Sequence, residues 1–192
     1  MAARSVEVFL IGPARLLAAL LPLTLSIALV VLVNLPVSLT GRLLPAPVLA
    51  LGAVYYWILV RPALMPPAAV FSVGLSEDIL SGGPPGLWAA GFLAAYLLAD
   101  RQRETLAGLS GIGAILGFAG SMLVAASTAY CLAWAVYWRS APLAPLVLET
   151  IITVMFYPFV ALSMGWVQHH VIVPIRRHDE TGVRDAIVRR QG

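Results

Sequence analysis

Few side chains in this sequence could do chemistry. Two adjacent acids, Glu77 and Asp78, stand just before a Gly/Pro turn, and a third, Glu149, lies inside an apolar run. Acids close to membrane depth are candidates for function by default, because burying a charge in hydrocarbon is costly. Neighbouring carboxylates diverge by about 100° on a helix, so Glu77 and Asp78 do not read as a paired acid/base dyad. They can instead be solvated at a surface or cap free N–H groups of the turn. Glu149 reads either as a proton or polar-partner site or as a charge favoured near a helix N-terminus. His169 and His170 are adjacent and cannot chelate from one face, and with His178 they make no metal-ligand spacing. They read as interfacial or solvated histidines. Cys131 stands alone in an apolar stretch and reads as a small packing residue. No phosphate-loop lysine exists, since the sequence has no Lys, and no Gly-x-Ser-x-Gly nucleophile motif occurs. No cofactor, metal, enzymatic activity or nucleic-acid partner is expected.

The elements that must hold these residues are apolar. Of 192 residues, 60% are apolar and 11% charged, with a mean hydropathy of +0.92. Soluble domains carry about 25% charged residues, so the composition excludes a soluble globule and implies an all-α, polytopic membrane protein. About 20 apolar residues cross a bilayer as a helix. Spans are expected at about 16–35, 43–60, 66–80, 86–99, 107–137 and 143–167. The first is read as an uncleaved helix rather than a secretory signal. Pro45 and Pro47 are placed in the first turn of the second, where a missing N–H costs little, and Arg61-Pro62 ends it. Ser81-Gly82-Gly83-Pro84-Pro85-Gly86 cannot continue a helix, so 66–99 reads as a hairpin of two short spans. No turn cluster divides 105–138, which reads as one long helix.

Charge placement supports this count. With six crossings and both termini inside, ten of the twelve Arg are cytoplasmic and only Arg42 and Arg139 lie outside, as the positive-inside rule requires. The domain division is a transmembrane unit, 1–175, and a polar Arg-rich cytoplasmic tail, 176–192, able to touch anionic lipid. Gly113 and Gly117 form a GxxxG step, continued by Gly108, Gly120, Ser121 and Ala125, suited to close helix packing. Tyr55-Tyr56-Trp57, Tyr96 and Tyr137-Trp138 read as anchors at the membrane interface. Pro158 is expected to kink the last span.

The middle of the chain resembles the MreD family of bacterial rod shape-determining proteins. The residues that carry the likeness are Tyr55–Pro62, which end a Tyr-Trp span in Arg61-Pro62, and the stretch Phe71–Leu87. Within the latter, Gly74-Leu75-Ser76-Glu77-Asp78 leads into Gly82, Pro84 and Gly86. Thr153–Pro158 is similar to the family's last span. The likeness covers about 45–170, and Glu77 departs from it where an apolar residue is usual. It implies a non-enzymatic inner-membrane scaffold of the cell-wall elongation machinery. The implied partners are MreC first, then MreB and the elongation glycosyltransferase/transpeptidase pair. Gly74, Glu77, Asp78, Gly82, Pro84 and Gly86 would form the motif hairpin, with Arg61, Pro62, Gly113, Gly117 and Glu149 as further packing or partner positions. It also implies a fold similar to the substrate-binding subunits of ECF vitamin transporters, and such a transporter subunit is the alternative function.

Overall fold

The computed structural model describes residues 13–35, 46–109, 111–137 and 143–172. Among these every regular element is helical: α1 (Pro13–Asn34), α2 (Leu49–Val60), α3 (Pro67–Ser81), α4 (Leu87–Arg101), the short α5 (Arg103–Ala107), α6 (Ile112–Tyr137) and α7 (Leu143–Val167). A 3-10 turn, Pro62–Leu64, follows α2, and a π turn, Gln168–Ile172, follows α7. The tail beyond residue 172 lies outside the described residues, as do Arg42, Pro45, Trp138 and Arg139.

The second helix is the axis of the bundle. Its sequence, LALGAVYYWILV, is apolar all round, which suits a position either in lipid or among other helices, and here other helices cover it. α1, α4, α6 and α7 pack against it, and the outer helices also meet in the order α1–α3–α4–α6–α7. Tyr55 and Trp57 are therefore core residues, 2% and 0% exposed, and not interfacial anchors. Only Tyr56 of that trio is half-buried, its hydroxyl donating to Gln168 Oε1 at 2.7 Å.

Two boundaries differ from the sequence reading. The second helix begins at Leu49 rather than 43, with residues 46–48 non-helical. Ala46 precedes Pro47, and a residue before proline is pushed out of the helical region. Pro47 thus lies outside the helix, its carbonyl accepting from Leu49 N at 2.9 Å. The run 107–137 is not one helix. Gly111 takes a left-handed φ of 57°, which breaks the path between α5 and α6, a conformation glycine adopts without the Cβ penalty.

Three contacts fix how α2 and α7 run. Val48 N donates to Thr153 Oγ1 at 3.0 Å, a Cβ on Gly52 would meet Tyr157, and Tyr56 reaches Gln168. Both sequence numbers rise together, so the two helices are parallel. α3 and α4 are antiparallel, since Gly74 faces Ala89 while Asp78 faces Gly86. This is the hairpin that the Gly/Pro cluster implies.

α6 and the extended α7 are long and apolar enough to cross a membrane. Their outer faces fit that setting: Ile112, Met155 and Leu162 are 77%, 70% and 72% exposed. Pro158 lies within an uninterrupted α7.

Candidate functional site

The most constrained polar site is the α3–α4 turn. Asp78 occupies the last turn of α3 and is 1% exposed. Its Oδ2 accepts from the backbone N–H of Gly86 at 2.8 Å and of Ala89 at 3.1 Å, and its Oδ1 from Trp88 N–H at 2.8 Å. The first N–H groups of a helix have no partner inside it, and together they carry a partial positive charge. A carboxylate arriving from the preceding helix satisfies three of them at once and compensates that charge. Charge-assisted bonds of this kind contribute about 1.5–3 kcal/mol each.

The turn between the helices is built to deliver Asp78 there. Gly82 ends α3 with φ 71° and Gly86 opens α4 with φ 104°, both in the left-handed region where an L side chain is disfavoured. Gly83 N–H returns to the Asp78 carbonyl at 3.1 Å. Half-buried Pro84 sits between them and has no N–H to satisfy. About one turn before Asp78, Gly74 lets the helix backbones touch. A Cβ there would stand 2.6 Å from Ala89 Cα.

Glu77 points away from this network. It is 4% exposed, and its Oε1 accepts from Asn34 Nδ2 of α1 at 3.0 Å. Asn34 also donates to its own Val30 carbonyl at 3.0 Å. The two carboxylates thus serve different neighbours, one joining α3 to α4 and the other joining α3 to α1. Neither is solvated at a surface. Glu149 of α7 is half-buried and lies within electrostatic reach of Glu77. It is past the first turn of α7, where the benefit of the helix dipole has faded. The same end of the bundle holds Thr153, whose hydroxyl donates to the Glu149 carbonyl at 2.7 Å while accepting from Val48 N. That side chain satisfies an N–H at the start of α2, which has no side-chain cap of its own.

Asn34 and Thr153 escaped the sequence reading. The available signal for Asn34 was its place as the lone amide in a 26-residue uncharged stretch between Arg15 and Arg42. Gly91 also escaped it: a Cβ there would lie 2.8 Å from the Ala125 carbonyl oxygen, so α4 and α6 pack backbone to backbone. The GxxxG step divides in the structure. A Cβ on Gly117 would stand 2.7 Å from the Tyr55 hydroxyl and 2.9 Å from Leu106, whereas one on Gly113 would meet only Leu109 a turn away.

The other candidates stand apart from this site. Arg61 N–H caps the end of α2 on the Trp57 carbonyl at 2.7 Å, and Pro62 starts the 3-10 turn. His169 and His170 are exposed in the π turn, with His170 stacked on Trp166 at 4.8 Å. Among the described residues no group of His, Cys, Asp and Glu could hold a metal ion. Cys131 is not packed inside the core. It is exposed and borders an apolar cavity between α6 and α7.

Chemically, the turn is a clamp. Both oxygens of Asp78 are engaged by backbone, so the site holds two helices in a fixed relation. Comparison with family models, with curated proteins and with solved structures returned no match.

Proposed function

We propose that the chain is a non-enzymatic membrane scaffold of the bacterial cell-wall elongation machinery, similar to the MreD family. The observation that supports this reading is the 74–86 hairpin. Four of the residues that carry the resemblance have structural tasks there: Gly74 the close approach, Asp78 the clamp, Gly82 and Gly86 the left-handed turn. A motif spent wholly on rigidity suits a platform for partners. MreC is the first such partner in this reading, with MreB and the glycosyltransferase/transpeptidase pair beyond it.

In the same reading all six long helices cross the inner membrane, with both termini cytoplasmic and most Arg inside. The parallel run of α2 and α7 agrees with an odd number of crossings between them. At fifteen residues each, α3 and α4 are about 22 Å long, short of the ~30 Å hydrocarbon core. Their turn would therefore sit at membrane depth, where unpaired N–H groups cost most and the Asp78 clamp matters most.

The transporter alternative calls for a polar ligand cavity, whereas the cavity between α6 and α7 is lined almost wholly by apolar atoms. Depletion in a rod-shaped host tests the proposal. Cells are expected to round or swell, and wild-type protein to restore them and to retain MreC in a mild-detergent pull-down. Unchanged shape after clean depletion overturns it. Reporter fusions at Arg61, Pro84 and Arg139 test the crossings, and a cytoplasmic signal at Pro84 overturns the hairpin topology.

A further inference from the structure

We draw no further inference here: the strongest candidate, the acidic pair of Glu77 on α3 and Glu149 on α7 near the start of α2, carries nothing, because Glu77 already accepts from Asn34 and no second feature of the structure points to a ligand between the two.

Discussion

Between α3 and α4 the helix backbones touch at Gly74 and Ala89, and three N–H groups of one helix close on a carboxylate of the other. Between α6 and α7 side chains stand in between. The pair meets through Phe118 and Tyr157 and leaves an apolar cavity further along. The difference follows from what lipid can and cannot drive. In hydrocarbon there is little hydrophobic force between helices, so tight pairs rely on close packing and polar bonds. The hairpin has both. The α6–α7 pair is held mainly through α2, because Tyr55 packs edge-on to both Phe118 and Tyr157 at 5.5 and 5.7 Å. One region is a fixed unit, and the other is two helices bracketed from behind.

The largest effect should come from breaking backbone contact in the hairpin. In Gly74→Val the new Cβ would collide with Ala89 Cα at 2.6 Å, and the helices cannot separate without pulling Asp78 off its three donors. Overpacking costs about 1–3 kcal/mol, more where nothing can yield. Loss of folded, monodisperse protein on detergent gel filtration is expected. A variant that elutes and melts like the wild type would show that the hairpin is looser than described. Asp78→Asn comes next. Asparagine offers one acceptor oxygen and turns an N–H₂ toward a backbone N–H. A loss of about 3 kcal/mol is expected from bonds to a charged acceptor. It should be visible as a lower thermal midpoint in detergent, with Asp78→Ala at least as damaging.

How far these features were legible follows from the kind of signal each leaves. The hairpin was readable because Gly, Pro and an acid at fixed spacing have few other uses in an apolar chain. Asp78 as a cap was one of two open readings, and burial decided between them. The burial of Tyr55 and Trp57 was not readable, since an aromatic at a span end looks alike whether lipid or protein covers it. Which helix is central depends on contacts distant in sequence, such as Val48 with Thr153. The break at Gly111 was missed because Gly108, Gly113 and Gly117 around it read as a small-residue packing face, and no proline marks a turn there. Asn34 was missed because its partner Glu77 is 43 positions away.

A smaller effect of opposite sign is expected at the bracket. The Tyr55 hydroxyl and Trp57 Nε1 are buried without a hydrogen-bond partner among the described residues. An unsatisfied buried polar atom costs about 1–3 kcal/mol, so Tyr55→Phe should raise the thermal midpoint, by about 1 kcal/mol after the lost contacts with Gly117 and its neighbours. Destabilisation instead would mean that the hydroxyl is bonded in the intact protein, through water, and that the bracket is polar like the hairpin.

The smallest effect should lie on the rim between α6 and α7. Leu123 is 57% exposed, and in a bilayer its surroundings are hydrocarbon whether or not α6 is packed on α7. Truncation therefore removes little that association had gained, in contrast to a buried leucine in a soluble core, where about 2–5 kcal/mol is lost. Leu123→Ala should change stability in nanodiscs by no more than about 0.5 kcal/mol, the range usual for positions outside a packed contact. A loss above about 1.5 kcal/mol would place Leu123 in an ordered contact worth as much as a capping bond in the hairpin, and the two regions would then differ in chemistry but not in rigidity.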